Sequence, residues 1–468
     1  MDPLRCADLV KATGGELRTV APSVELTGNA IDSRKVTAGD IFWALPGERT
    51  DGHCFAEQAL SNGADLVVCR ADRAESIAGP RLIVPDPLTA LQQFSAWYRA
   101  QQSALVVGVT GSVGKTTARG LLHAVLSAQF SGVQSPASFN NHLGLPLSLL
   151  DIEQHHEFGV LELGASHVGE IQALTEIARP EVGVITAIGR AHLAGFGSVD
   201  GIIRGKGELL ESLPATGFAV LPGDDPVTRS MAARAACRVL FVGDGDNNSV
   251  QAHDVTVSDS ALSFTVDQYR YHVPVVGRHH LTNALIAVAI AREIGMSPDA
   301  IQFGFSRYQT SPGRCHLTTI GPWRVIDDTY NASPTAMTAA LQLLSELPVS
   351  PGGRRFAVLG DMLELGAATE SEHFLLGQHA GQLRLDGVLA CGDAATQVAR
   401  GASLAGLPRG RLVATPQLEV LLMVLDCWLE PDDIVLVKGS RGMRMERVLD
   451  WLRQRANGIM GDPPARCA

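Results

Sequence analysis

At 468 residues the chain is too long for one ordinary hydrophobic core, and roughly two to four domains are expected. Hydrophobic residues make up 46% and charged residues 19%, a globular balance that excludes a disordered chain. The net charge of −11, from 38 basic and 49 acidic side chains, argues against binding by phosphate neutralisation, so no nucleic-acid partner is expected.

The opening MDPLRCADLVKATGG places charges where a signal peptide needs an apolar core, and no run of about 18 apolar residues follows. A cytoplasmic protein without a membrane span is therefore expected. Eight scattered cysteines with no C-x-x-C pair indicate neither a zinc site nor a disulfide framework.

Along the first hundred residues, short apolar runs at 41–45, 66–69 and 81–84 read as strands, and 88–102 as a helix. The run ALVVGVT at 104–110 is a buried-strand pattern, followed by a glycine-rich turn and a helical stretch at 118–130. Further strands are predicted at 158–163 and 182–187, with helices between them. Near Ser311-Pro312-Gly313 the pattern breaks and a second series begins. Its predicted strands are 323–328, 355–360, 387–391 and 434–438, with helices at 335–347, 370–385, 418–429 and 445–455. Such alternation implies α/β domains with mostly parallel sheets covered on both faces. Three domains are expected, 1–100, 101–312 and 313–468, with a loose tail from Asn457.

Residues 110–117 read TGSVGKTT, directly between the strand and the helix. Gly111 and Gly114 let the backbone of Thr110, Ser112 and Val113 curl its N–H groups toward phosphate oxygens. Lys115 would reach the terminal phosphates, and Thr116, followed by Thr117, would offer a hydroxyl to Mg²⁺. The first glycine of the strict motif is displaced, since Val109 stands at its position. The alternative is a plain glycine turn with an exposed lysine, but the strand–turn–helix context favours nucleotide use. Downstream, Glu162 and Ser166 stand near a predicted strand end, where α/β folds place ligands, and His192 and Lys206 follow. A carboxylate and an imidazole there would hold Mg²⁺, although each residue taken singly has an ordinary structural explanation.

TGSVGKTT, the segment NHLGLP at 141–146, ELGASHVGEI at 162–171 and IGRAHLAGFGS at 188–198 together resemble the Mur ligases. FGSVDGIIRGKGE at 196–208, DDTYNASPTAM at 327–337, GDMLELG at 360–366 and VKGSRGMRMERV at 437–448 point to the dipeptide-adding branch of that family. The resemblance implies an N-terminal UDP-binding α/β domain, a central P-loop ATPase-like parallel sheet and a C-terminal Rossmann-like domain. It implies ATP and Mg²⁺ as cofactors, and UDP-N-acetylmuramoyl tripeptide and D-alanyl-D-alanine as substrates. An acyl phosphate would form on the tripeptide and yield the pentapeptide precursor of peptidoglycan, a step in cell-wall biogenesis. The chain is expected to act as a monomer.

By the same resemblance, catalysis falls to Lys115, His192, Lys206 and Arg314, and metal binding to Thr116, Glu162, His192 and Lys206. Lys206 stands where relatives carry a carbamylated lysine. Asn283, Arg314 and Asp328 would contact the nucleotide, with His280 replacing the asparagine usual at that place and Val113 replacing another. Ser33 and Arg34 would face the uridine nucleotide, and Asn141 and Ser166 the substrate peptide. Asn331, Ser333, Asp361, Glu364 and Lys438 would meet the incoming dipeptide. The rivals are a relative adding a single amino acid and a P-loop ATPase or binding module that is no ligase. Asn331-Ala332-Ser333-Pro334 stands where a D-N-P-R type segment would mark the diaminopimelate- or lysine-adding enzyme.

Overall fold

The computed structural model describes residues 1–47 and 50–459. Its three main sheets follow one another along the chain. The first has the order Glu16–Arg18, Arg81–Val84, Leu66–Arg70, Asp40–Trp43, Gly28–Ala30, parallel except at the Glu16–Arg18 edge. Its middle strands are buried on both faces, which is why they read as unbroken apolar runs rather than as alternation. Helix Pro87–Arg99 starts where Asp86 accepts a hydrogen bond from the Thr89 N–H and proline takes the first turn. Leu91, Phe94 and Tyr98 on this helix join Trp43 in a core that also takes in Leu147 and Leu150 of the following unit.

The second sheet has nine strands: Gly132–Gln134, Phe158–Glu162, Leu105–Thr110, Val182–Ile185, Phe218–Pro222, Arg238–Gly243, Val250–Val257, Leu262–Val266 and Tyr269–Val273. It is parallel from Gly132–Gln134 to Val250–Val257, and antiparallel across the last three strands. Only three of the nine are predicted from the sequence. Most of the remainder are short or half-buried: Leu262–Val266 and Tyr269–Val273 bury alternate residues, a pattern too brief over five positions to stand out, whereas Phe218–Pro222 is a buried apolar run that the sequence reading passes over. Leu105–Thr110 lies between Phe158–Glu162 and Val182–Ile185, the point where strand order reverses. The carboxyl ends of these three strands therefore border one crevice, where open parallel sheets bind ligands.

Helix Leu281–Glu293 is apolar nearly all round and lies buried in the core formed with helix Lys115–Leu126 and the sheet. The open edge is closed by helix Pro298–Ser306, where the Gln302 amide pairs with both main-chain groups of His272, at 2.8 and 3.0 Å.

The third sheet runs His316–Ile320, Trp323–Asp328, Ile434–Lys438, Arg355–Gly360, Gly387–Cys391, Leu412–Thr415, parallel apart from its first pair. His316–Ile320 and Leu412–Thr415 are additions to the predicted set; both are partly exposed edge strands. Helices cover both faces. The expected loose tail is corrected at its start: helix Glu446–Ile459 continues past Asn457, and 460–468 lie outside the described residues. Among the described residues no helix is long and apolar enough to cross a membrane.

Leu285 is fully buried in the central core. Leu285→Ala is expected to destabilise the central unit by about 2–5 kcal/mol, read as a shift of its urea midpoint.

Candidate active site

Helix Lys115–Leu126 starts directly after the glycine turn, three residues earlier than the sequence predicts. Gly111 and Gly114 take φ of 145° and 85°, a region that side chains rarely adopt. A Cβ on Gly111 would lie 2.2 Å from Thr186 Oγ1, and one on Gly114 would lie 2.9 Å from Asn283 Oδ1. The loop is thus pressed between the neighbouring strand end and Asn283. Ser112 Oγ bonds the Gly189 carbonyl, the Val113 carbonyl accepts from Thr186, and Thr110 Oγ1 donates to the Leu163 carbonyl.

Lys115 Nζ donates to the Gly111 carbonyl at 2.7 Å, folded over the loop, and burial draws its pKa below the usual lysine value. Thr116 Oγ1 donates to Glu162 Oε2 at 2.9 Å, while Asn140 Nδ2 donates to Oε1 at 2.9 Å. Arg119, one turn along the loop helix, approaches the same carboxylate at 3.5 Å. Burial alone would raise the Glu162 pKa. Lys115, Asn140, Arg119 and Thr116 together outweigh it and hold the group below the ordinary range, hence ionised. Neighbouring oxygens in an octahedral Mg²⁺ shell stand about 2.9 Å apart. Thr116 Oγ1 and Glu162 Oε2 match that spacing, so this hard oxygen pair fits the metal.

The third sheet closes over the loop, leaving a cleft of about 500 Å³ lined by Thr116, Asn283, Arg314, Asp328, Glu364 and Lys438 among others. Arg314 Nη2 reaches Thr116 Oγ1 at 3.2 Å, with its guanidinium 3.8 Å from the centre of the Tyr330 ring. The Tyr330 hydroxyl in turn meets Ser138 Oγ at 2.8 Å. Lys438 pairs with Asp328 at 2.6 Å and donates to the Asn331 carbonyl at 2.9 Å. Arg190 bonds Glu372 at 2.6 Å, and His192 bonds Glu364, both from the central unit to the third. His192 and Glu364 both have left-handed backbone, with φ of 55° and 63°, so two strained residues face each other across the boundary.

A second cavity of about 690 Å³ lies between Thr89 and Gln92 of the first unit and Asn141, Ser166 and Glu170 of the second. Lys115, Asn140 and His192 line both spaces, so the two meet at the loop lysine.

The expected metal set is brought together only in part. Thr116 and Glu162 touch, but His192 turns to Glu364, and Lys206 Nζ donates to the Ala165 carbonyl at 3.2 Å above the Phe196 ring. Lys206 is 1% exposed, and burial, aided by Lys115, lowers its pKa to about 7. Ser333 and Asn331 line the main cleft.

Four expected substrate residues are otherwise engaged. Asp361 does not line the cleft: its carboxylate accepts the Asp393 and Ala394 N–H groups and lies 3.7 Å from His373, stapling two loops of the third sheet. Ser33 turns inward to Gln58 at 2.8 Å, and Arg34 forms a bidentate pair with Asp32 next to it. Asn141 lines the second cavity, yet its Oδ1 caps helix Gly144–Leu150 through the Gly144 N–H. Conversely, Arg119, Asn140, Ser138 and Tyr330 were not predicted. Tyr330 alone carried a signal, as an aromatic inside the DDTYNASPTAM segment.

Three family models match the chain in succession: Mur ligase family, catalytic domain, at 25–99; Mur ligase middle domain at 109–291; and Mur ligase, glutamate ligase domain, at 313–441. The chain belongs to the Mur ligase family, and its three-domain α/β architecture is that of the family. Among its relatives is the UDP-N-acetylmuramoyl-tripeptide–D-alanyl-D-alanine ligase of Bacillus subtilis, 36% identical over 95% of this chain and 96% of that one. The enzyme of the same name from Escherichia coli is 33% identical over 96% and 98%. The crystal structure of MurF from Acinetobacter baumannii superposes with a TM-score of 0.88 at 33% identity, covering 97% of this chain and 99% of that one. The MurF ligase of Thermotoga maritima in complex with ADP gives 0.79 at 29% identity, covering 92% and 98%.

Gly114→Ala forces a Cβ against Asn283 at a strained φ. It is expected to weaken binding of a non-hydrolysable ATP analogue at least about tenfold by calorimetry, a loss of roughly 1.4 kcal/mol, with the circular dichroism spectrum retained.

Proposed function

We propose that this chain is an ATP-dependent ligase that joins D-alanyl-D-alanine to the terminal carboxylate of UDP-N-acetylmuramoyl tripeptide, giving a peptidoglycan precursor. The observation that carries this reading is one cleft in which the phosphate loop and Glu162 of the central sheet meet Arg314, Asp328 and Lys438 of the third. The adjoining cavity supports it, since a long acceptor lying there would end at Lys115.

A carboxylate resists attack by an amine because oxide is a poor leaving group; phosphorylation supplies a good one. In this reading the loop N–H groups and Lys115 hold the nucleotide phosphates, and Arg314 adds positive charge as the third domain closes. Thr116 and Glu162 would hold Mg²⁺, which would neutralise phosphate charge. Asn283 and Asp328 take the base and ribose, with His280 beside them. Closure of the third domain excludes water from the acyl phosphate. The dipeptide amine then forms the C–N bond as the C–O bond to phosphate breaks, and the amine's proton passes to solvent. Asn331, Ser333 and Glu364 border the space left for the dipeptide. We assign the domains as 1–100, 101–312 and 313–468, the active unit as a monomer, and the site of action as the cytoplasm, where ATP is supplied.

Phosphate release should require UDP-muramoyl tripeptide and D-alanyl-D-alanine together. Release with neither present, or with a single amino acid replacing the dipeptide, overturns the assignment.

Lys206 is proposed to be carbamylated. Its pKa of about 7 leaves much of the amine neutral at physiological pH, and only the neutral amine adds CO₂. The sign follows: the carbamate should grow as pH rises through about 7 and be lost below it, whereas an ordinary lysine would require a pH above about 10. A carbamate signal in ¹³C NMR with labelled bicarbonate measures this directly. Lys206→Ala should be inactive and partly rescued by short carboxylic acids; no signal and no rescue would remove the modification.

A further inference from the structure

We propose that His279, His280 and Cys315 form a binding site for one borderline-soft divalent cation of the zinc class, bridging the central and third domains. Among the described residues this is the group of three metal-ligating side chains that converges, with one ligand atom of each lying within 4.8 Å of the others. The linear sequence hides it, because the histidines lie on the 3₁₀ turn Arg278–His280 while the cysteine comes from just before strand His316–Ile320.

A second observation points the same way. His280 is 5% exposed, and its Nδ1 has no hydrogen-bond partner. A buried polar nitrogen left unpaired costs about 1–3 kcal/mol, and metal coordination is one way to satisfy it. The donor set of two imidazoles and a thiol suits zinc and is wrong for Mg²⁺, which takes oxygen. Zinc bonds near 2.0–2.3 Å place ligand atoms about 3.3–3.7 Å apart, so each side chain need close by only about 1 Å. Three protein ligands leave a fourth position, and all three residues line the main cleft, so that position opens toward it.

The surrounding charges are balanced. Asp328 accepts the Cys315 N–H at 3.1 Å and favours a cation, while Lys438 opposes one but is itself paired with Asp328. Burial holds the His280 imidazole well below its usual pKa, hence neutral and able to ligate. Burial also raises the Cys315 thiol, so capture must displace its proton: one Zn–S bond forms, one S–H bond breaks, and one proton passes to the buffer. Metal capture does not depend on the ligase reading. Where that reading holds, the ion would tie the central domain to the third beside Arg314 and Zn²⁺ would inhibit turnover.

The test uses tag-free, reduced, full-length protein titrated anaerobically with Co²⁺ in excess Mg²⁺. One equivalent should produce a thiolate-to-cobalt charge-transfer band, displaced by Zn²⁺ with release of a proton. Cys315→Ser should lose the band. His280→Asn should weaken binding by more than the roughly 100-fold that marks the upper end of losing an outer-shell partner. Absence of the band in the unaltered protein overturns the proposal. Its persistence in Cys315→Ser, which would assign it to another thiol such as exposed Cys54 or Cys427, does so equally.

Discussion

The buried carboxylate of Glu162 is the constraint around which the central domain is arranged. It ends the strand beside the phosphate loop and accepts hydrogen bonds from Thr116 on the loop helix and Asn140 on the following connection. An ionised carboxylate in a dry position is tolerated only when its lone pairs and charge are both answered. Arg119 and Lys115 answer the charge, and so the helix is held at a fixed height above the sheet. The loop geometry follows. Gly111 and Gly114 take their unusual backbone because the helix cannot retreat from Thr186 or Asn283. The network that keeps Glu162 ionised also sets its oxygen beside the Thr116 hydroxyl at a spacing suited to Mg²⁺.

The third domain adds to this centre without sharing its sheet. Its contacts with the central domain include the polar pairs Arg314 to Thr116, Tyr330 to Ser138, Glu372 to Arg190 and Glu364 to His192, beside a small apolar patch where Val276 and Leu193 meet the third domain's core. Polar contacts exchange readily for water, so this boundary relies less on apolar burial than the join between the first and second domains at Phe94, Leu147 and Leu150. The strained backbones at His192 and Glu364 sit on the boundary with the third domain.

Much of this was legible in the sequence because the chemistry is local. A strand, a glycine turn and a lysine at a helix start occupy consecutive residues, and apolar runs buried on both sides mark parallel strands. What is assembled from afar was not legible. Arg119 on a helix carries no local sign that it faces Glu162, and the short alternating strands from Leu262 to Val273 lack length. An acid at a strand end looks the same in sequence whether it faces a ligand or staples two loops, and for Asp361 the structure shows the second arrangement, through the Asp393 and Ala394 N–H groups. Ser33 and Arg34 stand in the same position, their polar atoms directed to Gln58 and Asp32.

The Gln302 amide on His272 has a bearing on how the protein behaves in a crowded solution. An open nine-stranded sheet ends in a row of main-chain groups that another chain could extend. Near the end of the last strand, one side chain mimics the hydrogen-bonding pair of a further strand and occupies both main-chain groups of His272. Tyr269, at the start of the same strand, is tied to Asp299 on the covering helix. This edge is thereby terminated by a side chain instead of by another strand, which opposes its extension by a second copy of the chain.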